Sequence, residues 1–250
     1  MAKRYKGNIA FKTDQGRVRI NNEDQARAAI NSSGDVLLVV CDGMGGQNKG
    51  DYASKLAVET VIDAFRHKEM KGLFMFRKMW LESVVKKANA LIYDEAQKNE
   101  AYKDMGTTLV ACYISGEKCL VLNVGDSRCY RLKDGVLERL SEDQTYVDYL
   151  YRTGKITKDE TLSHPDRHVL MNALGIYPSC SMDVKTYPYH GERILLCSDG
   201  LYNNVSEGEI SNAISTDERA DQKVNSLINE ANLNGGSDNI GIAYWEAFHD

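Results

Sequence analysis

The sequence predicts an α+β fold, a four-layer α-β-β-α sandwich of two antiparallel sheets flanked by helix pairs, with an inserted lid segment. Three observations point there. Short apolar segments follow one another across tight turns at Gly116-Glu117 and Asp134-Gly135, which marks antiparallel sheet. Segments of helical period come in consecutive pairs between the strands. Val36 to Cys41 is a continuous apolar run rich in β-branched residues, as in a strand buried on both faces. A sheet buried on both faces needs a layer on each side.

In chain order, Ile9 to Thr13 reads as a first strand. The polar loop Gly16 to Asp24 follows, then a short strand from Gln25 to Ile30 and a turn at Asn31-Ser32-Ser33-Gly34-Asp35. The next strand runs from Val36 into Asp42-Gly43-Met44-Gly45-Gly46. From Tyr52 to His67, residues Ala53, Leu56, Ala57, Thr60, Val61, Ala64 and Phe65 form a helical stripe. A second helix spans about Leu73 to Lys98, with Leu81, Val84, Val85, Ala88, Leu91 and Ile92 inward. Strands return at Thr107–Ser115, Cys119–Gly125 and Cys129–Lys133. Ser141 to Gly175 is polar, has one short helix at Tyr146 to Arg152, and interrupts two strand regions as a lid would. A strand at Ile194 follows, then a capping box at Ser206 and Glu209 that opens a helix to about Ile214. A last helix covers about Glu218 to Leu233, and a last strand Ile240 to Trp245. No repeat or low-complexity linker divides the 250 residues, so one domain over 1–250 is expected, with the lid at about 141–175.

Composition narrows the function. Hydrophobic residues at 42% and charged residues at 27% are ordinary for a soluble globular chain. The formal charge of −5 comes without a basic cluster, so no nucleic-acid partner is expected. The basic start Met1 to Gly7 is not followed by an apolar stretch, unlike a signal peptide, and no run reaches membrane-spanning length. No membrane partner is expected. The six cysteines form no CxxC pair and lie mostly in apolar strands, which suits reduced thiols in a cytoplasmic protein.

The chemistry is carried by carboxylates at strand ends. Asp42 closes the Val36 strand, Asp199 closes the Ile194 strand, Asp126 follows Leu120 to Gly125, and Asp238 precedes the Ile240 strand. Carboxylates gathered at one rim of a sheet repel one another, and burying them unpaired is costly. A hard divalent cation, which prefers oxygen ligands, resolves that conflict.

Taken together, Arg19-x-x-Asn22-Glu23-Asp24, Asp42-Gly43-Met44-Gly45-Gly46, Gly106-Thr107-Thr108, Gly125-Asp126-Ser127-Arg128, Ser198-Asp199-Gly200 and Ser237-Asp238-Asn239 resemble the motif series of the PPM-type, or type-2C, metal-dependent serine/threonine protein phosphatases in their compact bacterial form. The resemblance covers essentially the whole chain. It implies two Mn²⁺ or Mg²⁺ ions bridged by Asp42 and by a water or hydroxide, with the Gly43 carbonyl, Asp199 and Asp238 as further ligands. Glu23 and Asp24 match the acidic pair that holds the second ion directly or through water. Asp126 matches the aspartate that serves, with Asp199, a weaker third ion. Arg19 matches the phosphate-binding arginine. The implied reaction is hydrolysis of phosphoserine and phosphothreonine on proteins, without a phosphoenzyme, by a monomer that reverses a partner Ser/Thr kinase in signal transduction. Met44 stands where many eukaryotic members carry a histidine, Gln144 where the family often has His, and Asn172 where Arg often precedes Ala-Leu-Gly. In the lid, Arg152 and His168 are the residues expected to meet protein substrates. Two alternatives stay open: a catalytically silent phosphoprotein-binding relative, and a two-metal hydrolase of small phosphate esters.

Overall fold

The structure, a computed structural model, describes residues 4–45, 49–68 and 72–248. Gly46, the last residue of the Asp42 motif, lies outside them. The expected sandwich is present. One sheet has five strands in the order β1 (Gly7–Asp14), β11 (Ile240–Ala247), β10 (Arg193–Cys197), β7 (Arg128–Lys133) and β8 (Val136–Arg139). The other has six: β2 (Asp24–Ile30), β3 (Val36–Met44), β5 (Leu109–Ser115), β6 (Lys118–Val124) and β9 (Asp183–Pro188), with β4 (Gly106–Thr107) paired to the end of β3. Every strand pairing is antiparallel.

The double burial of β3 explains its composition. Side chains alternate across a strand. Leu37, Val39 and Cys41 therefore face the helix pair α1 (Lys49–Arg66) and α2 (Phe74–Lys98), where they meet Ala53, Val61, Phe65, Leu81 and Ile92. Leu38 and Val40 face the second sheet and pack with Leu196, Ala243 and Trp245. Truncating such a residue to Ala costs roughly 2–5 kcal/mol. The outer layer on the five-stranded sheet is α6 (Glu207–Ser215) with α7 (Ala220–Leu233), whose Ile210, Val224 and Leu227 cover Leu195, Ile242 and Tyr244. Ser206 and Glu209 close the expected capping box on α6. The hairpin turn between β7 and β8 puts both Asp134 and Gly135 at positive φ, as a tight antiparallel turn requires.

Several details differ from expectation. The buried stripe of α1 also takes in Ser54, Val58 and Ile62, while Leu56, Thr60 and Ala64 lie at its border. Leu91 is exposed, because the buried stripe of α2 runs through Ala88, Ile92 and Ala96 and Leu91 lies off it. Strand β9 carries no apolar run, since it is an edge strand with half-exposed faces. The inserted segment has two helices: α3 (Tyr146–Arg152) and α4 (Lys158–Ser163), the second opened by a Thr157–Glu160 capping box. The base of that segment is also less free than expected. Thr145, Val147, Leu150 and Leu174 are buried, and Leu174 bridges to Thr107. Tyr151, Leu162 and Val169 are exposed.

Cys41, Cys112, Cys119, Cys129 and Cys197 are buried and Cys180 half-buried, all as free thiols.

Candidate active site

The site lies where the two sheets meet. Asp24 on β2 stands directly opposite Asp42 on β3 in the six-stranded sheet. Asp199 opens the short helix α5 (Asp199–Tyr202) just past β10, and Asp238 precedes β11 in the five-stranded sheet. Asp199 was expected as the last residue of a strand. Ser198 instead ends the extended run as the residue before the helical turn. The loop Gly125-Asp126-Ser127 is the crossover from β6 to β7 and joins the two sheets.

Hydrogen bonds fix each carboxylate's backbone. The Asp42 amide donates to Thr108 Oγ1 at 2.9 Å, and its carbonyl accepts from Thr107 Oγ1 and the Thr108 amide, each at 2.8 Å. Thr108 Oγ1 lies 2.7 Å from Ser127 Oγ, beside Asp126. Gly125 sits at φ 98°, and a Cβ there would strike Thr108 Cγ2 at 2.7 Å. The Gly-Thr-Thr and Gly-Asp-Ser motifs thus work as one clasp. Asn239 is a second clasp. Its Oδ1 accepts from the Glu23 amide at 2.9 Å, and its Nδ2 donates to the Gln15 and Asn21 carbonyls at 2.8 Å each. That ties the Arg19 loop to the start of β11.

Gly43 has a steric reason to be glycine. A Cβ there would lie 2.2 Å from the Gly50 carbonyl oxygen and 2.6 Å from that of Glu23. The close approach places Glu23 at the N-terminus of α1, where the Gly50 amide bonds its carboxylate and the helix favours negative charge.

Arg19, Glu23, Asp42, Gly43, Asp126, Asp199 and Asp238 line one cleft of about 770 Å³. Asp24 does not. It is 1% exposed, behind the cleft wall, and its Oδ2 accepts from Ser198 Oγ at 2.6 Å. Arg19 Nη2 donates to Asp238 Oδ2 at 2.7 Å. From the inserted segment, His168 reaches the cleft rim together with Arg167 and Leu170. Arg152 does not reach it. It lines a separate groove with Tyr149 and Met171, where its Nη1 lies 3.8 Å from Glu142 Oε2. Its place on the last turn of α3 points it away from the carboxylates. Arg167 carried no motif in the sequence; its signal was only a cation next to His168 in a polar insertion.

Charge crowding dominates the electrostatics. Burial, then the Asp238 charge, pushes the Asp199 carboxyl up to about 6, against the pull of Arg19 and Arg128. Burial, then Asp199 and Asp143, pushes Asp126 up to about 8. Burial and the surrounding carboxylates hold Asp24 and Asp42 well above the usual range. Burial, then Asp51, raises Glu23. Two buried oxygens, Asp24 Oδ1 and Asp199 Oδ1, have no hydrogen-bond partner. This all-oxygen donor set fits hard divalent cations and suits neither zinc nor copper. No three His, Cys, Asp or Glu side chains among the described residues stand at metal-ligand spacing. Asp238 is turned to Arg19, Asp24 to Ser198 and Asp199 to Asn203.

Two residues beyond the expected set support the rim. Arg128 makes a two-pronged bond to Asp143, with Nη2 to Oδ2 at 2.7 Å, and its guanidinium lies 3.5 Å over the Tyr202 ring. Gln144 donates from its amide to the Gly125 carbonyl and accepts from the Gly125 amide, each at 3.0 Å. It also accepts from Asn172 Nδ2 at 2.7 Å. Both ends of the insertion are therefore fastened to the Asp126 loop.

Comparison with known proteins agrees with this arrangement. The family described as Protein phosphatase 2C matches residues 14–235. The serine/threonine phosphatase stp of Listeria innocua is 37% identical over 235 residues, covering 93% of this chain and 92% of that one. The crystal structure of the S. agalactiae serine/threonine phosphatase superposes with a TM-score of 0.91 at 30% identity, covering 97% of this chain and all of that one. The catalytic domain of the serine/threonine protein phosphatase PstP, solved with two manganese ions, gives 0.82 at 31% identity, covering 97% and 99%. With its motifs assembled at one seam between two sheets, and with these relatives along nearly its full length, the chain belongs to the protein phosphatase 2C family.

Proposed function

We propose that this protein hydrolyses phosphoserine and phosphothreonine on proteins, with Glu23, Asp42, Asp126, Asp199 and Asp238 as the carboxylates of a divalent-metal centre and Arg19 as the phosphate ligand. The observation that carries this reading is their convergence on one cleft. Asp42, Asp199, Asp238 and the Gly43 carbonyl would hold two Mn²⁺ or Mg²⁺ ions, Glu23 would support the second, and Asp126 with Asp199 would hold a weaker third. Asp24, walled off from the cleft, would act behind the ligands. When bound, the ions supply the Lewis acidity that makes water a nucleophile near neutral pH.

The chain's own groups do the rest. Arg19 offers a planar fork to two phosphate oxygens and offsets the charge that spreads over them. Met44 lines the cleft but has no ionisable group, so no proton for the leaving hydroxyl comes from that position. Cys41, the thiol next to Asp42, is fully buried, and burial pushes it far from thiolate character. That supports direct hydrolysis over a phosphoenzyme. Arg167 and His168 stand where a protein substrate would cross the rim.

We further propose a single catalytic domain that acts as a cytoplasmic monomer and reverses a Ser/Thr kinase. No described helix is long and apolar enough to cross a membrane. The test is turnover of a phosphothreonine peptide against a nucleotide. Activity on the peptide should vanish in EDTA and return with excess Mn²⁺ or Mg²⁺, and Asp42→Asn should abolish it while the fold survives. Full activity in chelator, or preference for the nucleotide, would refute the reading.

A further inference from the structure

The end of the molecule opposite the cleft has a different character. Helix α1 starts at the cleft, where Gly50 packs on Gly43 and Glu23. At about 1.5 Å per residue it runs roughly 27 Å before ending at Arg66. Helix α2 starts from that far end. Its first turns expose Leu73 (68%), Met75 (57%), Phe76 (45%) and Met79 (57%). A soluble surface scatters single apolar residues but rarely clusters four on one helix start.

Cations stand at the same end, where Arg77 ties the start of α2 to the β2–β3 turn by bonding the Gly72 carbonyl at 3.2 Å and pairing with Asp35 at 3.4 Å. Lys118, on the turn into β6, holds its Nζ 5.7 Å from the centre of the Phe74 ring. The Lys68 carbonyl accepts from Asn31 Nδ2 at 3.3 Å, which places Lys68 against the β2–β3 turn. Arg4 lies against the same turn, its Cδ 3.6 Å from where a Gly34 Cβ would be. Arg4, Arg66, Lys68 and Lys118 are all exposed. Among the described residues, most acids at this end have a cationic partner. Asp35 is buried, accepting from Tyr113 Oη at 2.6 Å and pairing with Arg77. Asp63 faces Arg66 and Glu82 faces Lys78 along their own helices. Glu117 is the exposed acid beside Lys118. Among the described residues of this end, cations outnumber acids, in a chain of net charge −5.

We propose that this pole is a peripheral docking face for an anionic lipid surface, with Leu73, Met75, Phe76 and Met79 entering the headgroup boundary and Arg4, Lys68 and Lys118 meeting lipid phosphates. Charge and shape argue for this occupant. Apolar tips with exposed cations at the same end match an anionic interface. A peptide ligand would need a groove or a free strand edge, and these four side chains line neither the catalytic cleft nor the Arg152 groove. Docking this way points the catalytic cleft away from the lipid, toward phosphoproteins in solution. It revises the expectation of no membrane partner without requiring any segment to cross.

The test uses the full chain and sedimentation with vesicles, either phosphatidylcholine alone or with about one third phosphatidylglycerol. Binding should appear only with the anionic vesicles and should fade as salt screens the charges. Lys68→Glu with Lys118→Glu should weaken it by roughly tenfold or more. The triple change Met75→Ser, Phe76→Ser and Met79→Ser should also remove it. Both variants should keep wild-type hydrolysis of a small aryl phosphate, which reports an intact fold. No sedimentation with anionic vesicles, equal sedimentation with both kinds, or undiminished binding by the charge-reversed variant would overturn the proposal. So would a solution dimer that Phe76→Ser dissociates, because a second copy would then own the face.

Discussion

Replacing Arg19 by Ala separates two roles that the structure places on one side chain. Arg19 is held by Asp238 at 2.7 Å, with the two side chains 55% and 27% exposed. An ion pair so open to water is worth only about 0–1 kcal/mol. Breaking it should barely affect folding. It also frees an Asp238 oxygen, so Mn²⁺ affinity should stay within about fivefold of wild type and shift toward tighter binding. Catalysis should respond far more. Losing a charge-assisted contact to the phosphate in the transition state costs roughly 2–4 kcal/mol, or about thirtyfold to a thousandfold in kcat/KM. The assays are kcat/KM on a phosphothreonine peptide at saturating Mn²⁺ and calorimetric titration of Mn²⁺ into the free protein. Arg19→Lys keeps the charge but not the fork and should recover only part of the rate. A kcat/KM within twofold of wild type would remove Arg19 from the mechanism. A drop in metal affinity equal to the drop in rate would show that it acts only through Asp238.

Further expectations concern the carboxylates, the clasp and the lid. Burial and the neighbouring carboxylates push Asp199 up to about 6 and Asp126 up to about 8, against an ordinary 3.8. The folded state therefore holds protons that the unfolded chain has released, and stability should fall as pH rises from about 4 to about 8. Melting in EDTA should show this decline, and Mn²⁺ should restore more at the alkaline end; a Tm that climbs with pH in EDTA would contradict it. Thr108→Val strips a hydroxyl from the Asp42 amide and from Ser127. It should cost about 1–3 kcal/mol, a Tm loss of roughly 3–10 °C, whereas Thr108→Ser should be near neutral. In the lid, Arg167→Ala should raise KM for a phosphoprotein but not for an aryl phosphate, and Arg152→Ala should do neither. Hydrogen exchange should be fast over residues 153–169 and slow in β3; equal protection would remove the mobile tip.

The sheets were legible because β3 and β10 are apolar on both faces, and only a sandwiched strand needs that. The edge strand β9 was not, because an edge needs no such run. The cleft carboxylates could be read from their places at strand ends, but Asp24 shows the limit: of the adjacent acids where the Arg19 loop enters β2, the sequence does not say which reaches solvent, and Asp24, the first strand residue, is the buried one. Why Gly43 must be glycine was not legible: the Gly50 and Glu23 carbonyls, distant in sequence, fill the space a side chain would take. Arg152 and Arg167 look equivalent in sequence. Only the path of the insertion back over Gly125 sorts one to each groove.

The cleft draws its acids from both sheets: Glu23 and Asp42 from one, Asp199 and Asp238 from the other. Cations bound there would rivet the sandwich along its seam. The cleft then acts as a gauge of how the two sheets sit on each other. A slip of a few tenths of an ångström in the shared interior, around Trp245 or Leu38, would be registered at the rim as misaligned carboxylates. Substitutions that never touch the cleft can therefore surface as altered metal appetite, and the wear on this enzyme's interior can be read from its demand for manganese.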